Sequence, residues 1–164
     1  MANANAFDFP QEVLSETVKL KRKGIWREGV SAEKKEELLN NWSMAVAEVF
    51  GVEPPEIKYE PENVAEYVLS GGGRYYKPTN TIFLYRKVSL MTLFVMFSYV
   101  VLEGDILDLN ISNQETGYTQ SSHVHRAASV DYSTAIDWGH SLFNAAFPDD
   151  YRSALERGLF RTEI

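Results

Sequence analysis

The chain has 164 residues and a net charge of −7, with 23 acidic against 16 basic side chains, which disfavours broad binding to nucleic acid or to an anionic membrane. A hydrophobic share of 45% and an aromatic share of 13% give a domain of this length a real core and exclude general disorder. There is no cysteine, so disulfides, thiolate nucleophiles and cysteine-based zinc sites are all excluded.

Residues 1–30 read as an irregular or partly helical arm ahead of a single domain over 31–164. The opening "MANANAFDFPQEV" has no basic region followed by an apolar core, so no signal peptide is expected and the location reads as cytoplasmic. In "EVLSETVKLKRK", Val13, Leu14 and Val18 recur at near-helical spacing, and Gly24 is a stop. The basic cluster "KLKRKG" reads as a solvated helix end rather than a nucleic-acid patch.

Ser31 caps the next helix, "SAEKKEELLNNWSMAVAEVFG". Its acids Glu33, Glu36 and Glu37 sit toward the positive end of the dipole, Leu38, Trp42, Ala45, Val46 and Val49 line one face, and Gly51 ends it. "PPEIKYE" is a short extended segment, and "PENVAEYVLS" one or two helical turns with Pro61 at the first position.

"SGGGRYYKPTNTIFLYRK" reads as a hairpin: Arg74 to Tyr76 forms one strand, Pro78, Thr79 and Asn80 the turn, and Thr81 to Arg86 the other. Residues 88–104, "VSLMTLFVMFSYVVLEG", form a helix apolar on every face. It is shorter than the roughly 20 residues that span a bilayer and is interrupted by Ser89, Thr92 and Ser98, so it is a buried core helix.

"DILDLNI" is a strand or an extended loop, and "SNQETGYTQSS" a loop. From Ser129 or Asp131 a helix runs to Pro148 with Ala135, Trp138, Leu142 and Phe143 on one face, and "DDYRSALERG" is a short final helix. The order gives an α+β fold, a small mixed sheet or hairpin packed on a buried central helix with further helices around it.

Four pieces in order, "GRY" (73–75), "TIFLY" (81–85), "MTLF" (91–94) and "AIDWGHSLFNAAFP" (135–148), resemble the minimal zincin metallopeptidases of the gluzincin type found in phages and mobile elements. In that family a Gly-x-Tyr turn and an edge strand precede a helix bearing His-Glu-x-x-His, and a later helix supplies an acidic ligand. The resemblance covers about residues 38–148. In the register set by "MTLF", the motif falls on "VMFSY": the first histidine is Val95, the glutamate Met96 and the second histidine Tyr99. The acidic ligand falls at Asp131 or Tyr132, so Asp131 is either a vestigial ligand or a helix N-cap.

Two imidazoles at i and i+4 reach one Zn²⁺ from the same helix face, and the glutamate takes a proton from the metal-bound water. Valine offers no lone pair, methionine is no base and a tyrosine is a poor ligand near neutral pH. The resemblance therefore implies an inactive metallopeptidase homologue with no cofactor, serving as a structural or protein-binding component of a phage virion or accessory system, by protein partners or self-assembly.

Alternatives rest on other residues. His123 and His125 share a face if the segment is a strand, and His140 could complete a relocated metal site for a metal-dependent hydrolase. A peptide-binding regulator would need a groove beside a Thr81–Tyr85 edge strand. "SGGGR" lacks the Gly-Lys-Ser/Thr ending of a phosphate loop. Glu103, Asp105 and Asp108 read as the polar exit of the buried helix, Ser98 has no nucleophile-elbow context, and Tyr75, Tyr76, Tyr118 and Tyr151 are candidates for a contact surface. Phe7 and Phe9 could carry the arm along a partner subunit.

Overall fold

The computed structural model describes residues 2–65, 72–85, 88–102, 108–111 and 131–159. Within them are five α-helices and a four-stranded mixed sheet, an α+β architecture. In chain order the elements are α1 (Gln11–Arg22), α2 (Ala32–Phe50), β1 (Glu56–Glu60), β2 (Gly73–Tyr76), β3 (Thr81–Tyr85), α3 (Leu90–Val101), β4 (Asp108–Ile111), α4 (Tyr132–Ala146) and α5 (Pro148–Glu156).

Local chemistry sets several of these boundaries. The Ser31 hydroxyl accepts from the Lys34 N–H at 3.1 Å to open α2, and Gly51 closes it with φ +69, a left-handed conformation that costs glycine little. The face α2 buries is rotated from the expected one. Leu38, Leu39, Trp42, Ser43, Val46 and Ala47 are buried, while Val49 remains 39% exposed. Between β2 and β3 a single 3₁₀ turn ends at Asn80, whose φ of 49 is the one left-handed non-glycine conformation among the described residues. Asparagine tolerates that region because its short polar side chain bonds locally, here accepting from the Tyr75 hydroxyl at 2.9 Å.

The strand order is β1-β3-β2-β4, with β1 parallel to β3 and the other pairs antiparallel. The β2–β3 hairpin is as its turn chemistry predicts. The edge position expected for β3 is not: β1 pairs along one side of it and β2 along the other, so its backbone has no side left to accept a peptide. Burial of Thr81, Ile82, Leu84 and Tyr85 fits an interior strand covered on both faces.

The outer side of β1 is capped by α2. Asn40 accepts from the Ile57 N–H at 2.9 Å and donates to the Ile57 carbonyl at 2.7 Å, and Glu36 accepts from the Tyr59 N–H at 2.9 Å. Side chains thus supply the partners that an additional strand would bring.

Helix α3 is central, as its composition predicts. Its Ser89 cap accepts from the Thr92 N–H, and every residue from Leu90 to Tyr99 is buried. The Trp42 ring of α2 packs on Phe94 and Phe97, with centroids 5.5 and 4.7 Å apart. Helix α4 covers another face through Phe94–Phe143 and Phe97–Trp138 at 6.1 and 6.4 Å, and β2 covers a third.

The first 30 residues, read from sequence as an arm, contribute Val13, Leu20 and Ile25 to this same core. The segment before α1 lies along α4 of its own chain. Asn3 N–H donates to Asp137 at 2.8 Å, the Ser141 hydroxyl donates to the Asn3 carbonyl at 3.2 Å, and Phe9 meets Trp138 edge-on at 5.2 Å. Phe9 is therefore engaged within the chain, and Phe7 packs against the core.

Candidate functional site: a buried turn of the central helix

Val95, Met96 and Tyr99 lie on one helical turn of α3 with at most 1% of their surface exposed. The neighbours differ by face. Val95 meets Gly139 of α4 so closely that a β-carbon there would stand 2.6 Å from Val95 Cγ2 and 3.1 Å from its backbone nitrogen. Met96 turns to the sheet, where a β-carbon on Gly73 would stand 2.7 Å from its terminal methyl group. Glycine at both positions lets the helix and strand backbones close on α3.

Tyr99 lies one turn further along, toward the start of α4. Burial raises the pKa of the Tyr132 phenol, and the Tyr99 phenol raises it further. The Tyr132 hydroxyl is buried and has no hydrogen-bond partner among the described residues. Antiparallel packing of α3 and α4 thus pairs 94 with 143, 95 with 139 and 97 with 138. Tyr99 also lines a cleft of about 370 Å³ between Gly51 at the end of α2 and Lys77 and Asn80 of the hairpin turn.

These residues do not fit a zinc ion. A valine, a thioether and phenols offer neither the imidazoles nor the carboxylate the chemistry requires. Of the two positions read as the acidic ligand, Asp131 is the N-cap of α4. Its Oδ1 accepts from the Thr134 N–H at 2.7 Å, and the residue is exposed. Tyr132 is partly buried against the core, with its hydroxyl enclosed.

His140 is fully buried, and its Nδ1 lies 2.6 Å from the Tyr151 hydroxyl. Burial lowers its pKa to about 4 and raises that of Tyr151 to about 12, so both groups are neutral near pH 7. His123 and His125 lie outside the described residues. Among the described residues no three histidine, aspartate or glutamate side chains are grouped to hold a metal ion, and no helix is long and apolar enough to cross a membrane. Comparisons with known protein families, with curated proteins and with solved structures return no match for this chain.

The remaining sequence candidates have structural explanations where they are described. Ser98 donates to the Val95 carbonyl within α3, and Gly73 begins β2 instead of cradling a phosphate. Tyr75 and Tyr151 are 4% and 5% exposed, which removes them as contact-surface residues; Arg74 stacks over the Tyr76 ring at 5.4 Å. Asp108 begins β4, while Glu103, Asp105 and Tyr118 lie outside the described residues. Gly139 and Asn40 escaped the sequence reading. The first has a readable signal, a glycine inside an otherwise strong helix pattern, which usually marks close packing.

Proposed function

We propose that this protein is a non-catalytic member of the zincin-like type, a pseudo-metallopeptidase that serves as a structural or protein-binding component. The observation that carries the reading is the arrangement around α3. The three positions where the resemblance expects His, Glu and His lie in the buried core, and α4, which begins at the Asp131 and Tyr132 positions aligned with the third ligand, packs directly against that helix at Gly139 and Val95. Replacing a polar centre with hydrocarbon and phenol avoids leaving unpaired buried charge, which costs several kcal/mol in order of magnitude. A role in a phage virion or accessory system rests on the resemblance alone.

The test restores the missing ligands. Val95→His, Met96→Glu and Tyr99→His are combined with Tyr132→Glu, and thermal unfolding is followed with and without zinc. One equivalent of zinc is expected to raise the unfolding temperature of the quadruple variant and to leave the wild-type chain unchanged. A variant that gains no stability from zinc, or a wild-type chain that binds it stoichiometrically, overturns the reading.

A further inference from the structure

Although the chain is acidic overall, seven of its 16 basic side chains fall within residues 19–35. The end of α1 and the turn after it bring Lys21, Arg22 and Arg27 to the rim of a cleft of about 490 Å³, whose apolar lining includes Val18, Phe147 and Pro148. Beside it the Trp26 ring packs on Phe147 at 5.3 Å and beneath the Lys21 ammonium at 5.9 Å, yet stays 37% exposed. Val18 is 39% exposed.

The two acids on the same rim are already engaged. Asp150 pairs with Lys21 at 2.6 Å and Asp149 with Arg152 at 2.7 Å. Arg22 and Arg27 have no ion-pair partner among the described residues. Arg27 folds back over Gly24, where its guanidinium lies about 3.4 Å from the place a β-carbon would occupy. The uncommitted charge of the cleft is therefore two guanidinium groups flanking an apolar floor with a half-exposed indole. Arginine and tryptophan are the residue types that dominate binding energy at protein interfaces, and guanidinium matches carboxylate geometry two bonds at a time.

We propose that this cleft docks an acidic segment of a partner protein, its carboxylates on Arg22 and Arg27 and an apolar side chain against Val18, Trp26 and Phe147. A bare phosphate suits it less, because the N-terminus of α5 already has Asp149 and Asp150 in its first turn and the floor is hydrocarbon. None of these residues belongs to the α3 site, so the proposal stands or falls separately from the lost metal centre.

The test titrates the full chain into a fluorescein-labelled synthetic peptide of aspartate, glutamate and leucine, read by anisotropy at low ionic strength. Saturable binding is expected, weakened roughly tenfold or more by Arg22→Glu with Arg27→Glu, weakened by Trp26→Ala, and lost in high salt. Arg22→Gln with Arg27→Gln supplies the same test should charge reversal perturb folding. Absent binding, or an affinity indifferent to both arginine pairs, overturns the proposal. So does full displacement by millimolar inorganic phosphate, which marks a bare anion site. A dimer that dissociates on charge reversal makes a second copy of the chain the occupant and overturns it as well.

Discussion

The Asn40 carboxamide and the Ile57 backbone exchange two hydrogen bonds, 2.9 Å from the Ile57 N–H to Oδ1 and 2.7 Å from Nδ2 to the Ile57 carbonyl. One side chain thereby does for the outer side of β1 what a neighbouring strand would do. Asn40→Leu leaves both backbone groups without these partners, at a cost of about 1–3 kcal/mol. The variant should unfold at lower urea and also scatter light on standing, because the uncovered edge can pair with another chain. Asn40→Asp keeps the acceptor and loses the donor, so its stability should fall between the two.

Gly139 and Val95 bring α3 and α4 together with no room for a methyl group. Gly139→Ala places a β-carbon 2.6 Å from Val95 Cγ2, and overpacking of that kind costs roughly 1–3 kcal/mol. Adding Val95→Ala removes the nearest atom but not the backbone nitrogen at 3.1 Å. The double variant should therefore be less destabilised than the sum of the two single changes, and still less stable than wild type. A double-mutant cycle in denaturant measures the coupling.

Tyr132 and Tyr151, whose hydroxyls differ in hydrogen bonding, should respond in opposite ways to removal of those hydroxyls. Tyr132→Phe removes a buried hydroxyl that has no hydrogen-bond partner among the described residues, so stability should stay level or rise by up to about 1 kcal/mol. Tyr151→Phe removes the partner of His140 Nδ1 and should lower stability by about 1 kcal/mol. Calorimetric unfolding of both variants at pH 7 separates them.

His140 makes stability depend on pH in one direction. Its pKa falls from 6.5 to about 4 because burial penalises the imidazolium. Between those values the unfolded chain takes up a proton that the folded chain does not, so stability falls as pH falls. Over the whole window the loss is roughly 3 kcal/mol, with nothing further from this group below it and no effect above pH 6.5. Urea midpoints of wild type and His140→Gln at pH 7 and 4.5 test this, and the variant should lose less on acidification.

Much of the fold was legible because its signals are local. Ser31, Gly51, Pro78 with Asn80 and Pro148 punctuate the chain where backbone chemistry requires it, and the uniformly apolar 88–104 run reads as a helix without a solvent face. The misreadings concern partners distant in sequence. Nothing within Thr81–Tyr85 reveals that Glu56–Glu60 pairs beside it, although four buried side chains in five are unusual for an edge strand. Likewise Phe9 looks like a loose aromatic until Trp138 is known to lie beneath it. At the candidate site the spacing of Val95 and Tyr99 was readable, whereas Gly139 opposite Val95 and Trp138 against Phe97 follow from the register of two helices, which no local pattern encodes.

The strap formed by the segment before α1 also has a consequence for the order of folding. Asn3 bonds to Asp137 and Ser141, partners 134 and 138 positions away. On the ribosome those partners are made more than 130 residues after Asn3. Helix α1 can dock as soon as α2 follows it, with the Trp42 indole donating to the Thr17 hydroxyl. Phe9 has no such early seat, because Trp138 beneath it arrives only with α4. The strap therefore closes late in folding, after α1 and α2 can already have packed.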